Sequence, residues 1–356
     1  MIHFKKQSKA DRIYHAMLER LQKMADGDEF PSVRQIMREF EVSQFSVQPV
    51  FERLQEEGMI RSRVGSGSLV NHIKKTSQVR LALLTTNWPS YTIFEFVDEF
   101  TEQARLLNYT VNHINFDYHL DPLTMLGSIR DADLIVCVPN VCERFTAEQV
   151  SLIKNSKMPV LICRYEVPVQ GIPYVAGNSA IGGGLIANYL AKMGHRKIGI
   201  LYGEPHDYVM RNLLNGFNSA AGVLGLEIEM LDCKTNYGEN ALDNVQAYLR
   251  NYLATRRTFD FTCLFVTSDG TAVAALDVLQ EEGWQVPNDL SVIGFGNVKI
   301  RGRYENKLTT VGEDTVKLVK AAMRLAQDMV EGKTVDDIHI TITPEIFERF
   351  TVKRLI

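Results

Sequence analysis

Cysteine is scarce in this chain and badly spaced for chemistry. Cys137, Cys142, Cys163, Cys233 and Cys263 are odd in number and contain no C-x-x-C pair. That excludes a disulfide framework and a zinc site, and leaves small buried apolar residues. No run of 18 apolar residues occurs, so no membrane-crossing helix is expected. The N-terminus carries charges close together instead of the apolar core of a signal peptide, which predicts a cytoplasmic protein. No phosphate-binding G-x-x-x-x-G-K-[ST] is present, and no G-x-G-x-x-G follows a strand. Gly182-Gly183-Gly184 lies at a helix start, where close backbone packing explains it better. The few histidines do not cluster with carboxylates at metal-ligand spacing, and His195 sits in Gly-His-Arg-Lys ahead of a strand. No Ser/His/Asp arrangement is visible. We expect no catalytic residue, no metal and no cofactor.

What is there is ordinary globular material, 45% hydrophobic and 23% charged, long enough for two or three cores. The net charge of −4 is unevenly placed. Residues 1–80 hold 14 Lys/Arg and 10 Asp/Glu, whereas residues 81–356 hold 25 and 33. The basic excess belongs to the N-terminal part, and the acidic remainder would stay away from a polyanion.

That N-terminal part is rich in helix and turn signals. Ile13, Ala16, Met17, Leu21 and Met24 mark one amphipathic helix. Ser32, three residues before Gln35, has capping-box spacing and opens the run Val33, Ile36, Met37, Phe40. Ser43 is the next N-cap, and Val47, Val50, Phe51 and Leu54 recur at helical spacing as far as a stop at Gly58. Met59–Arg63 and Ser68–Ile73 read as two strands around Gly65-Ser66-Gly67. Helix, helix-turn-helix and wing is a DNA-binding layout with the second short helix in the major groove. Lys5, Lys6 and Lys9 form either an arm that reaches phosphate or a solvated terminus.

These strings (Pro31-Ser32-Val33-Arg34, Val42-Ser43, Leu54 to Ile60, Gly65-Ser66-Gly67) resemble the winged helix-turn-helix of the GntR family over roughly residues 5–72. The resemblance implies DNA contact by Arg34. Ser32, Arg34, Gln44, Ser46, Gln48, Arg61, Arg63, Ser66 and Gly67 are the candidate contacts. Gln44 and Gln48 stand where the family usually has basic residues. Glutamine pairs with adenine but does not attract phosphate, so more weight falls on Arg34, Arg61, Arg63 and the wing. Pro49 removes one hydrogen bond of the recognition helix. It is either tolerated on a solvent face or a device that tilts the helix.

Residues 73–78 read as a linker. From Val79 onward short apolar runs alternate with helical stretches. The strands are expected at Leu81–Thr85, Val111–Phe116, Leu134–Val138, Val160–Cys163, Lys197–Tyr202, Glu227–Leu231, Cys263–Val266 and Ser291–Phe295. The expected helices include Phe94–Leu107, with Phe94, Val97, Phe100 and Ala104 on one face. Alternation of this kind predicts α/β architecture with parallel sheets, here two sheets with a cleft between them. In open α/β sheets a ligand sits beyond the carboxyl ends of the strands.

The strings Asn178 to Gly183, Gly194-His195-Arg196-Lys197-Ile198, Gly216-Phe217, Ser268-Asp269, Ile293-Gly294-Phe295, Leu308 to Val311 and Pro344-Glu345-Ile346 are similar to the sensor domain of LacI-family repressors. That domain has the periplasmic-binding-protein fold, and the resemblance covers residues 79–356. It implies lobe one at about 79–176 and 312–338, and lobe two at about 177–311 and 339–356. Joined to the winged helix, it gives an arabinose-repressor-like arrangement. This implies a homodimer on operator DNA, a repressor whose affinity is controlled by a small molecule, most simply a sugar or sugar derivative.

The family's sugar-gripping positions are not kept. Leu213 replaces an arginine, Ser268 an asparagine, and Gly296 and Gly177 aspartates, while Asp269 survives in a position that serves local structure. Charged groups grip hydroxyls more strongly than neutral ones, so three readings stand. In the first, other groups hold a sugar, with candidates Trp88, Tyr91, Asp117, Asn140, Arg164, Tyr165, Tyr202, Glu204, His206, Arg211, Tyr237, Ser268, Asp269 and Glu313. The effector is less polar or larger. Or the cleft has lost its small ligand, and an orphan regulator answers to another metabolite or a protein partner. Trp88 and Tyr91 either stack on a sugar face or pack at the strand end.

Overall fold

The computed structural model describes residues 9–21, 23–25, 27–56, 59–63, 67–71, 78–88, 90–139, 145–300, 302–333 and 338–355. The chain divides into two units, residues 1–78 and 79–356. Of the sequence-assigned linker, residues 73–77 lie outside the described residues, as do Gly58, Cys142, Lys5, Lys6 and the wing turn at 64–66.

In the first unit, capping sets the helix starts. The Gln35 side chain accepts the Ser32 N–H at 2.7 Å, and Ser32 Oγ accepts the Gln35 N–H at 3.4 Å, so the helix Val33–Glu39 begins where the spacing predicts. Ser43 directly precedes the helix Gln44–Glu56. Ile13, Met17 and Leu21 of the helix Lys9–Leu21 bury against Ile36, Val47, Val50, Phe51 and Leu54. The wing strands Ile60–Arg63 and Gly67–Val70 pair antiparallel. A short strand the sequence did not announce, Glu29–Phe30, pairs with Gly67–Val70 and sends Phe30 into the core. Pro49 lies inside its helix on the exposed side, and the helix runs through it. The Phe45 carbonyl that loses a partner can therefore turn to water.

The second unit is built on two six-stranded sheets. In lobe one the order is His339–Ile342, Tyr174–Gly177, Val160–Cys163, Leu134–Cys137, Arg80–Thr86, Thr110–Phe116, all parallel. In lobe two it is Glu227–Asp232, Lys197–Tyr202, Cys263–Val266, Ser291–Phe295, Thr309–Gly312, Glu345–Phe347, with only the last antiparallel. Helices cover both faces, so the central strands are buried on both sides and read as continuous apolar runs. Cys137, Cys163 and Cys263 are fully buried on these strands, and burial pushes their thiols up.

Two details depart from the sequence reading. The strand His339–Ile342 pairs with Tyr174–Gly177 and so belongs to lobe one, whereas the sequence reading places residues 339–356 in lobe two. After this strand the chain crosses to lobe two at Thr343-Pro344. The helix Tyr91–Leu106 buries Phe96, Phe100 and Ala104, while Phe94 is 56% exposed. Phe96, Phe100 and Ala104 recur every four residues and define the stripe, from which Phe94 is turned away.

Helices Ser179–Lys192 and Tyr208–Leu224 meet backbone to backbone. A Cβ on Gly183 would lie 1.9 Å from the Leu213 carbonyl oxygen, and one on Gly216 would lie 1.9 Å from that of Ala180. Packing thus accounts for Gly183, and for Gly182, whose Cβ would lie 2.7 Å from Phe295, but not for Gly184, where a Cβ would meet nothing nearer than 3.8 Å. Asp269 is buried and ties three elements together. Thr310 Oγ1 donates to it at 2.6 Å and the Val298 N–H at 3.0 Å. Burial pushes its carboxyl up to about 6 against these hydrogen bonds. His195 is likewise buried, between Thr262 Oγ1 at 2.8 Å and the Lys353 carbonyl at 3.1 Å.

Gly183→Ala should destabilise the chain by about 1–3 kcal/mol or more, since backbone is what it strikes; urea unfolding measures this. A raised carboxyl favours folding fully below its unfolded value near ~4 and loses that contribution as pH rises past its folded value. The stability of wild type relative to Asp269→Asn should therefore fall between pH 4 and 7, by on the order of 2–3 kcal/mol. Parallel pH profiles for the two proteins would contradict that.

Candidate functional site: a cleft between two lobes

The carboxyl ends of both sheets face one cleft of about 180 Å³. This is below the ~300–1,000 Å³ of pockets for drug-sized ligands, and suits a small monomeric molecule. Of the residues singled out in the sequence, Trp88, Arg164, Tyr165, Glu204, Tyr237, Ser268 and Glu313 line it. Arg164 follows the strand Val160–Cys163 in the left-handed region at φ 65, which turns the chain at the strand end.

The walls are aromatic. Trp88 of lobe one meets Tyr237 of lobe two edge-on at 5.7 Å between ring centres, and Tyr118 at 5.8 Å. Tyr165 of lobe one stacks on Tyr208 of lobe two at 5.2 Å. Trp88 therefore both packs at its strand end and forms cleft wall. Tyr91, 53% exposed, lies against Gly270 in a neighbouring groove that Asp269 also lines.

The polar lining sets carboxylates among serine and threonine hydroxyls. Glu166, Glu204, Asp207 and Glu313 face the same space as Arg164, the single cation among the described lining residues. Ser268 Oγ donates to Glu204 at 2.6 Å, but burial still pushes that carboxyl up. Asp207 caps the helix Tyr208–Leu224, accepting the Met210 N–H at 2.7 Å. Burial pushes Asp207 up to about 6, the N–H groups of the helix start oppose this, and neighbouring Glu204 adds to it. Burial also raises Glu166, which Asn178 Nδ2 approaches at 3.4 Å.

Glu313 has a particular position. A Cβ on Gly177 would overlap its side chain, so the carboxylate of Glu313 fills the room that a side chain at 177 would need. The sequence counted Gly177 as a lost acid; here a crossing segment supplies one. Leu213 needs a correction as well. It is 0% exposed and packs in the core of lobe two with Ile186, Phe217 and Phe265. The cleft receives Met210 and Asn212 from that helix instead. Gly296 does line the cleft.

Four candidates stand elsewhere. Asp117 is exposed and accepts the His119 N–H at 2.9 Å in its own loop. Tyr202 is buried beneath the site and stacks on His206 at 4.1 Å. His206 pairs with Asp232 at 3.3 Å on the surface. Arg211 is not in the lining, but its charge acts on Asp207 and Tyr202. Asn140 lies outside the described residues. The sequence reading missed Glu166, Asp207, Tyr208 and Asn212. Glu166 sits two residues beyond Arg164, and Asp207-Tyr208 opens a helix after a strand, which is the signal that would have found them.

In the first unit Arg34, Gln44, Gln48 and Arg61 are exposed, Ser32 is engaged in its capping box, and Ser46 is half-buried. Gln48 reaches Glu52 at 3.3 Å. Gly67 opens the second wing strand. Ser66 and the Arg63 side chain lie outside the described groups.

Among the described residues no helix is long and apolar enough to cross a membrane. No group of three or more His, Cys, Asp or Glu among them is placed to hold a metal.

The model of the bacterial regulatory proteins of the gntR family matches residues 9–70, and that of the periplasmic binding protein-like domain matches residues 187–352. The HTH-type transcriptional repressor PurR of Haemophilus influenzae is 26% identical over 297 residues, 80% of this chain and 84% of the relative. A LacI family transcriptional regulator from Enterococcus faecium, solved with bound ribose, superposes with a TM-score of 0.64 at 19% identity, over 78% of this chain and all (100%) of that one. A periplasmic binding protein/LacI transcriptional regulator from Alkaliphilus metalliredigens, complexed with D-xylulofuranose, gives 0.62 at 21% identity, over 77% and 98%. At such identities the structural likeness speaks for the fold. Together with the winged helix and the two-lobed cleft, these matches make the chain a DNA-binding transcriptional regulator, a gntR-type helix-turn-helix domain followed by a periplasmic-binding-protein-like domain with the LacI-regulator fold.

Proposed function

We propose that the chain is a cytoplasmic, homodimeric repressor that binds a two-fold operator and changes its grip when a small, uncharged, hydroxyl-rich molecule enters the cleft. A sugar or sugar derivative fits best. The observation that carries this is the lining, which among the described residues sets four carboxylates and one arginine between aromatic walls. Carboxylates accept only, and a hydroxyl donating to one makes a short, charge-assisted bond. Aromatic faces cover the apolar faces of a sugar ring. An anionic ligand such as a uronic acid would face repulsion from the same groups. The named relative is a repressor, and two solved neighbours hold ribose and D-xylulofuranose, which supports a sugar without identifying it. The chain acts by binding alone in this reading, with no reaction of its own.

Regulation then needs only a preference. A ligand that binds one lobe arrangement better than another shifts the population by that difference, and the winged helices follow. Trp88, Arg164, Tyr165, Glu166, Glu204, Asp207, Tyr237 and Glu313 are the effector-binding set in this proposal.

Thermal melting of the full chain against neutral pentoses and hexoses, uronic acids, oligosaccharides and nucleosides tests the ligand class. A ligand at 100 times its Kd should stabilise by about 2.7 kcal/mol. Neutral monosaccharides should shift the melt and uronic acids should not; a panel with no hit would favour the orphan reading. Once a ligand is found, Glu313→Gln should weaken it by about 1 kcal/mol, because a neutral acceptor replaces a charged one. On the DNA side, Arg34→Ala should cost roughly 1–3 kcal/mol of operator affinity if it reads a base. Gel-shift affinities equal to wild type would remove Arg34 from the interface.

A further inference from the structure

We infer that Phe45 reads DNA, its ring meeting the C5-methyl group of a thymine in the major groove. The inference rests on the DNA-binding reading above and goes beyond the polar contacts expected of this helix.

Phe45 is the second residue of the helix Gln44–Glu56 and is 90% exposed; among the described residues no large apolar side chain is more so. Helix phase explains this. Val47, Val50, Phe51 and Leu54 form the buried stripe, and Phe45 falls on the opposite side with Gln48, Pro49 and Glu52, all exposed. A ring left in water forgoes the gain that burial would bring, so neither folding nor solubility accounts for a phenylalanine here. The location does. In a helix-turn-helix the N-terminal residues of the second helix point at base edges, while later turns leave the groove.

The neighbours narrow the target. Gln44 and Gln48 lie beside the ring, both to the same side of it around the helix, and no exposed residue on this face from Gln44 to Glu52 is cationic. The helix start therefore has little to offer phosphate and must gain its affinity from bases. Glutamine matches adenine, which presents an acceptor and a donor together in the major groove. Thymine presents a methyl group, the apolar feature that aromatic and methyl-bearing side chains contact. Glutamine and phenylalanine side by side thus suit the two halves of A·T pairs, and a G·C pair offers the ring nothing. Phosphate attraction falls to cations outside this helix, such as the exposed Arg61 of the wing.

The test uses the full chain and duplexes enriched by it from a random pool of DNA. Each thymine of the enriched site is replaced in turn by deoxyuridine, which removes the methyl and nothing else, and binding is followed by fluorescence anisotropy. Wild type should lose about fourfold at one thymine per half-site, the worth of one buried methyl-sized group. Phe45→Ala should bind the thymine duplex more weakly by a similar or larger factor and show no further loss on deoxyuridine. Because the ring is outside the core, the variant should melt with the wild type, and Phe45→Leu should keep part of the methyl sensitivity. Equal sensitivity of wild type and Phe45→Ala to deoxyuridine overturns the inference, as does unchanged affinity of the variant. A loss that is the same on both duplexes, with wild type indifferent to the methyl, would point to a protein surface as the ring's partner and overturn it too. Enrichment of no duplex would overturn the DNA-binding reading itself, a separate outcome.

Discussion

The two lobes of the second unit are held by three chain crossings, at Gly177-Asn178, at Gly312 to Asp314 and at Thr343-Pro344. The rest of the unit depends on how closely these segments approach. A Cβ on Gly312 would fall 2.5 Å from the Gly296 carbonyl carbon, and one on Gly177 would fall inside the Glu313 side chain. Side chains are excluded there, so the strand ends can converge and both sheets present their carboxyl ends to one gap. Each sheet is assembled from distant parts of the chain for the same reason. Lobe one finishes its sheet with His339–Ile342, and lobe two finishes with Glu345–Phe347.

Within that gap the fold pays twice for its chemistry. Carboxylates lose water when they enter a cleft, which is why Glu166, Glu204 and Asp207 are pushed toward their protonated forms. Partial compensation comes from groups fixed by the backbone. Ser268 is the N-cap of its helix and still donates to Glu204; Asp207 is a cap itself and accepts from the helix it starts. Such acceptors are already oriented and partly dry, which is the state in which a hydroxyl-bearing ligand gains most. Asp269 is built by the same means for another purpose, and its hydrogen bonds all serve the packing of lobe two.

How far this could be read in the sequence differed by kind of signal. Spacing with a local physical cause was legible: the Ser32 to Gln35 cap, the buried stripe from Val47 to Leu54, the apolar strands at the sheet centres. Short elements defined by distant partners were not. Glu29–Phe30 is a strand only because Gly67–Val70 lies beside it, and Tyr174–Gly177 and His339–Ile342 depend on each other although the paired residues are 165 positions apart. Counting substituted positions one at a time also misjudged the cleft. Leu213 looked like a missing arginine, but its side chain is core. Gly177 looked like a missing acid, but Glu313 comes from another crossing segment into the same room. Residues that replace one another in space need not do so in sequence.

Glu313 carries a mechanical consequence. It belongs to neither lobe's interior but to a segment between them, at the pivot about which the lobes would turn. A ligand that pulls on a lobe's outer wall works at the end of a long lever, where much travel is needed for little rotation. One that pulls on Glu313 works beside the fulcrum, where a displacement of a fraction of a bond length is magnified into a sweep at the far ends of the lobes. A small molecule seated on this carboxylate would act with little leverage, so it could set the lobe angle only by as much as it binds one arrangement better than the other.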